Sequence, residues 1–463
     1  MSPQKITRRE FLRFSAATTV GVLAAACAPP GAAPAPEEEG APAPAPKEKV
    51  VIEWWHGWGG MTGVNAMQAV ADAFNEEHED IQVNRLQVSQ INEKYMTAIA
   101  GGTPPDVEIG NLQYAQYWAR GVVHVLDDWI DASEIIDRDD IFSSSWQEAS
   151  WQGKTYGVPT VESYLRFALC YNEDLVKEAG LDPDNPPLDW DEAFEWHKAI
   201  TTFDEAGNIE ILGFDPMDAM GGSGPGPPDP FFWPQSYGFK WWLPDEMKFN
   251  FDNELFVAAL ATIKRFYDHV GVEKMAGYRS SYGTWTQSPT ASFPAGVQAM
   301  IINGYWTPGE LVHSAPDKKF RYTWPPNSPE RRGIKFQSTG GHFGNIPKGS
   351  KHPEEAFKFI EFTTTDKACD IIFSQTGWLG ARKSYLEKVD PSKAPGLEFY
   401  LRSATEADEM NSSESCPIGG FVGQNWRNTV DAVNFGDKTP EEAARDLQEM
   451  CTEELRKQFP ELV

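Results

Sequence analysis

Three tryptophans and a histidine crowd the stretch "WWHGWGG" (residues 54–60), at the end of the strand-like run "VVIEWW". Side chains of these types do their chemistry by contact. A sugar ring presents a flat patch of C–H groups edged by hydroxyls. An aromatic face covers such a patch with large contact area and few rotatable bonds to freeze. The chain holds 17 Trp and is 13% aromatic, a composition that suits a pocket of this kind. Signatures of bond-breaking chemistry are missing. There is no HExxH, no G-x-S-x-G, no P-loop and no Cys/His set at metal-ligand spacing. "GWGGMTG" follows a strand and precedes a helix like a dinucleotide loop, but its third glycine is displaced from G-x-G-x-x-G. No catalytic residue, cofactor or metal is therefore expected. A glycosidase needs two carboxylates a few ångströms apart; with 68 Asp and Glu, count alone decides nothing.

Not every aromatic residue is a site. Trp54 and Trp55 are neighbours on a strand and face opposite ways, so one is core, and Trp55 is the one assigned to a cleft. Trp118, Trp129, Trp146 and Trp151 read as packing. "KWW" (240–242) fits a cleft rim as well as an ordinary surface.

The elements that position these residues begin after residue 49. Residues 1–26 hold Lys5, Arg8, Arg9 and Arg13, then an apolar run too short to span a bilayer, which needs about 20 residues. "TRREFLR" resembles a twin-arginine export signal. "LAAAC" resembles a lipobox, which makes Cys27 the expected lipidated first residue of the mature protein; the alternative is cleavage after an alanine. Residues 27–49, rich in Ala, Pro and Glu, read as an extended tether. The formal charge is −28, and loss of the leader takes it to about −31. That balance argues against nucleic acid and against a polybasic membrane patch. Apart from Cys27 there are four cysteines, of which Cys416 with Cys451 is a conceivable disulfide.

Beyond the tether, strand and helix patterns alternate. "NAMQAVADAFNEEH" places Met67, Val70, Ala71 and Phe74 on one helical face. "YNEDLVKEAGLD" reads as a helix closed by Gly180. "LDWDEAFEWHKAI" offers Asp189 as an N-cap with Glu192 as its capping-box partner. "GSKHPEEAFKFIEFTTT" carries Ala356, Phe357 and Ile360 as an apolar stripe behind Pro353. The pattern predicts an α/β fold with mainly parallel sheets. Ligands of such sheets sit beyond the carboxyl ends of strands, where "WWHGWGG" lies.

"GGTPPDVEIGN" (101–111), "GKTYGVP" (153–159), "CYNEDLVKEAGLDPDNPPLDWDEAFEWHKAI" (170–200), "FPAGVQAMIINGYW" (293–306), "GNIPKGSKHPEEAFKFIEFTTT" (344–365) and "TGWLGARKSYL" (376–386) occur in this order. Together they resemble the extracellular solute-binding proteins of family 1, the sugar-class receptors of ABC importers. The resemblance implies an α/β, two-lobed periplasmic-binding-protein-like fold (type II) with the cleft between lobes. It implies one lobe of 50–158 plus 325–365 and another of 159–324 plus 366–463. It also implies the site. Trp55, His56 and Trp58 meet the cleft at the first strand, and Asn111 in the second cleft loop. Glu162, Ser163 and Tyr164 lie where the chain crosses between lobes. Asp229, Phe231 and Trp233 belong to an acid-Pro-aromatic segment, and Trp306 takes the position of a stacking tryptophan. Gly341 and His342 follow the return crossing. Trp378 and Arg427 match ligand contacts of glycerol-3-phosphate-type relatives. Where maltose-type relatives carry an Asp and a Lys, this chain has Trp58 and Gly59.

The implied function is an extracytoplasmic receptor, lipid-anchored to the outer face of the cell membrane or periplasmic. It captures a carbohydrate by hinge closure and delivers it, as a monomer, to ABC permease subunits. The alternatives are a receptor for an anionic or peptide-like solute, for which Arg427 speaks, and a secreted glycosidase.

Overall fold

The structure is a computed structural model that describes residues 49–59, 61–110, 114–160, 163–217, 232–282, 286–412 and 415–463. Expectations that fall on Cys27, Asn111, Glu162, Asp229 and Phe231 lie outside the described residues.

Two five-stranded sheets organise the chain. The first runs Ile81–Gln87, Val50–His56, Val107–Ile109, Phe343–Asn345, Val158–Pro159. Its first three strands are parallel, and Phe343–Asn345 runs against its neighbours. Parallel strands need a crossover. The helix Met61–Glu77 supplies one, and Met67, Val70, Ala71 and Phe74 are all buried on the face the spacing predicts. The second sheet runs Phe320–Thr323, Ala168–Asn172, Gln298–Asn303, Ile209–Phe214, Thr202–Phe203. It is mixed, with one parallel pair, Gln298–Asn303 against Ile209–Phe214. The mainly parallel expectation holds for the first three strands of the first sheet and fails for the second sheet.

Local punctuation accounts for the helix ends. Asp189 caps the helix Trp190–Ile200 by accepting from the Glu192 N–H at 2.9 Å. Glu192 does not close the box, because its carboxylate accepts from the Leu188 N–H and from Arg332 instead. A complete capping box stands at Thr439 and Glu442, ahead of the helix Pro440–Gln458. The stripe Ala356, Phe357, Ile360 is buried as expected.

Two segments join strands of the first sheet to strands of the second. The outgoing one follows Val158–Pro159 and the return one precedes Phe343; a bridge between Leu165 and Thr339 joins them. The grouping of contacts differs from the expected lobes in two places. Asn327 accepts from the Trp190 N–H, and Phe336 packs with Phe167 and Phe232 in the core of the second sheet. Ala368 and Ile372 pack in the core of the first sheet, and Lys367 and Arg382 bond to Glu77 and Asp140. Residues 325–338 thus pack with the second sheet, while 366–382 touch both cores, Ala368 and Ile372 in that of the first sheet and Cys369 and Leu379 beside Ala168 and Ile301 of the second.

The cysteine expectation is also corrected. Cys170, Cys369, Cys416 and Cys451 are buried thiols outside any disulfide. Cys416 and Cys451 share a core without a bond, and burial pushes the Cys451 thiol up to about 12. Among the described residues, no helix is long and apolar enough to cross a membrane.

Candidate functional site

The alternation on the first strand separates its two tryptophans as expected. Trp54 is buried against Phe359, ring centroids 5.0 Å apart. Trp55, on the other face, is partly buried, and its indole N–H has no partner. Two residues on from Trp54, His56 returns to the core side and is 0% exposed. Its Nε2 lies 2.9 Å from Arg85 Nη1. Arginine only donates, so Nε2 accepts and Nδ1 carries the proton. Burial, helped by the Arg85 charge, lowers the His56 pKa to about 3. His56 is therefore a neutral support beneath the loop rather than the solute contact expected of it.

Trp58 rests on that support and is 6% exposed. Its ring lies 5.7 Å from His56, 5.0 Å edge-on to His342 and 6.1 Å from Trp378. Glycines make the space. A Cβ on Gly110, where φ is +110°, would lie 2.7 Å from the Trp58 ring, and one on Gly63 would lie 3.2 Å from Trp378. Three loops distant in sequence thus gather Trp58, His342 and Trp378.

A second group surrounds the crossing segments. Ser163 Oγ donates to the His342 carbonyl (3.1 Å) and accepts from the His342 N–H (3.2 Å), which fastens the outgoing segment to the return. A Cβ on Gly341 would lie 2.0 Å from that oxygen. Trp306 begins the helix Trp306–Ser314, beyond the carboxyl end of Gln298–Asn303. It is 7% exposed, and its indole N–H has no partner. Over it lies Arg166, with the guanidinium carbon 5.9 Å from the ring centroid. Sequence reasoning missed Arg166. The one available signal was a cation in the crossing "SYLRFALC", and its surroundings depend on tertiary contacts.

Other expected residues are placed elsewhere. Trp233 is 0% exposed, stacked on Trp190 at 4.5 Å, and its indole donates to the Pro216 carbonyl; it is core, because its helix Phe232–Tyr237 lies inside the second sheet's aromatic cluster. Tyr164 is also buried, with its hydroxyl donating to the Tyr400 carbonyl. Both tryptophans of "KWW" are core residues, though Trp241 also lines a cavity of about 340 Å³ with Gln147, Gln235, Lys240, Arg331 and Asn411. Arg427 is partly buried on the helix Gly419–Phe435, one turn before Asp431. Burial raises the Asp431 carboxyl, and the Arg279 and Arg427 charges oppose that rise. A cavity of about 110 Å³ beside Trp378 is lined by Gly309, Glu310 and His313 of the Trp306 helix.

Residues 69–398, more than half of the chain, match the family of bacterial extracellular solute-binding proteins, and the chain belongs to it. The sn-glycerol-3-phosphate-binding periplasmic protein of Pectobacterium atrosepticum is 25% identical over 166 residues, 31% of this chain and 34% of that protein. The chain thus spans about a third of the length of the curated relatives it matches. Among solved structures, CpMnBP1 with mannotriose bound superposes with a TM-score of 0.76 at 23% identity, covering 87% of this chain and 100% of that one. The maltose/maltodextrin-binding domain from Bdellovibrio bacteriovorus, bound to maltotriose, gives 0.69 at 19%, covering 88% and 100%. At such identities the likeness shows the fold: two lobes with a cleft between them.

Proposed function

We propose that this protein is a carbohydrate receptor of an ABC importer, which closes two lobes on a saccharide and releases it unchanged to a permease. The observation that carries this reading is the gathering of Trp58, His342 and Trp378 from three separate loops. Aromatic faces and edges at one place, with glycines clearing room around them, suit the C–H faces of sugar rings. Trp306 adds a second aromatic group beside the crossing segments. The relatives bind sn-glycerol 3-phosphate and the structural neighbours hold mannotriose and maltotriose, which supports the class. Trp55, Gly341 and His342 are proposed as cleft residues with these, and Ser163 as the fastening of the hinge.

The packing favours lobes of 49–159 plus 343–382 and of 163–338 plus the C-terminal helices. The leader supports export through a twin-arginine route, with Cys27 lipidated and 28–49 as a tether to the outer face of the membrane. Transport without bond cleavage follows from the same reading, as does action as a monomer.

Thermal unfolding of the purified protein against neutral saccharides, sugar phosphates and peptides tests it. A ligand that binds only the native state at a hundredfold excess over Kd adds about 2.7 kcal/mol. The expected result is a clear shift with a carbohydrate that is recovered intact. A shift with peptides alone, or recovery of cleaved sugar, would refute the reading.

A further inference from the structure

We propose that Arg166 reads an anionic group, a carboxylate or a phosphate, on a saccharide whose ring lies along Trp306. This rests on the carbohydrate-receptor reading and narrows it to acidic carbohydrates.

The first observation is a set of unused donors. A guanidinium presents five N–H groups in a rigid fork. Among the described residues, each other partly buried arginine is engaged by the protein, most by a carboxylate, as in the pairs Arg279–Asp215, Arg321–Glu173 and Arg382–Asp140. Arg85 is engaged by Gln68 and His56. Arg166 uses its backbone N–H on the Ser338 carbonyl, while its guanidinium has, among the described residues, only the face of Trp306. In a chain of formal charge −28, acceptors are abundant, yet none among the described residues is set against this group.

The second observation is that the backbone is cleared for it. A Cβ on Gly340 would lie 2.1 Å from Arg166 Nε, and one on Gly304 would lie 2.2 Å from the Trp306 ring. Glycine at both places lets the cation and the indole occupy their positions. The third is location. Arg166 follows the Leu165–Thr339 bridge between the crossing segments, and Trp306 stands beyond the carboxyl end of a central strand. That is where a two-lobed α/β receptor holds its solute. The unpartnered indole N–H of Trp306 adds a neutral donor beside the fork. A planar fork matches the two oxygens of a carboxylate or phosphate, and the aromatic face beside it suits the ring that carries them. Arg427, the cation singled out from sequence, lies one turn from Asp431 on the same helix, and its charge opposes the rise of that carboxyl.

Calorimetric titration of the purified protein tests this with paired probes. Digalacturonic acid and glucuronic acid supply carboxylates; glucose 1-phosphate and sn-glycerol 3-phosphate supply phosphates; mannobiose, maltotriose and glucose are neutral. The expected result is a preference for one acidic set over the neutral set of about 10- to 100-fold, the range of charge-assisted hydrogen bonds. The preferred set identifies the anion. The preference weakens with salt and collapses toward equality in Arg166→Gln. Arg166→Lys, which keeps the charge without the fork, retains part of it. Melting of the ligand-free variants establishes that they fold. Equal binding of neutral and acidic sugars by the wild type, or a preference that survives in Arg166→Gln, overturns the role of Arg166 and leaves the receptor reading standing. If no saccharide of either kind binds, both fall.

Discussion

Tryptophans that look alike in sequence divide by what surrounds them, and the division sets different consequences for substitution. Trp233 is enclosed and stacked on Trp190. Trp233→Ala should cost about 3–5 kcal/mol in denaturant unfolding, while the folded fraction keeps its affinity for solute. Trp306→Ala should weaken saccharide binding by about tenfold or more, given the contact area an aromatic ring supplies; calorimetry on the two variants reads the contrast. Gly110→Ala sets a methyl into the Trp58 ring and strains a residue at φ +110°. It should destabilise by more than about 1 kcal/mol and displace the aromatic group. Part of this was legible in the sequence. Strand alternation puts Trp54 and Trp55 on opposite faces, and the structure buries Trp54 and leaves Trp55 partly buried. Whether Trp233 faces a cleft or a core, and whether Arg166 finds an acceptor, depends on residues far along the chain, about which local spacing carries no information.

At the scale of elements, helices were read from apolar stripes and caps, and these determinants are local. The stripe from Met67 to Phe74 and the cap at Asp189 needed no tertiary knowledge. Thr439→Ala removes the accepting side of the capping box before Pro440–Gln458. It should cost about 1 kcal/mol in thermal unfolding, whereas Glu192→Ala at the incomplete box should act mainly through Arg332 and Leu188. The allotment of 325–338 and 366–382 to lobes was not legible. A helix with an apolar stripe must bury it, but the stripe does not say against which sheet. Ala368 and Ile372 pack beside the first sheet while Cys369 of the same helix packs beside the second, a division that only tertiary contacts reveal.

For the whole molecule, buried histidines set a pH dependence of stability. Burial lowers His56 and His197 to about 3, with Arg85 and His269 adding to the effect. In the unfolded chain both titrate near the ordinary value of about 6.5. The folded pKa is depressed for a cation-forming group, so the unfolded state binds more protons between those values. The stability held above about 6.5 is therefore lost as pH falls toward 3, at up to about 1.4 kcal/mol per pH unit for each histidine. Unfolding free energies at pH 7.5, 6.5 and 5.5 should show that slope; a flat profile would contradict the neutral burial of both rings.

The same whole-molecule scale carries the central claim, that two lobes close on a carbohydrate. Small-angle X-ray scattering of the purified protein, with and without the saccharide that most raises its unfolding temperature, tests this most directly. The expected result is a smaller radius of gyration at saturation, with the sugar recovered unchanged. An unchanged radius at saturation, or a sugar returned cleaved, would contradict capture by closure.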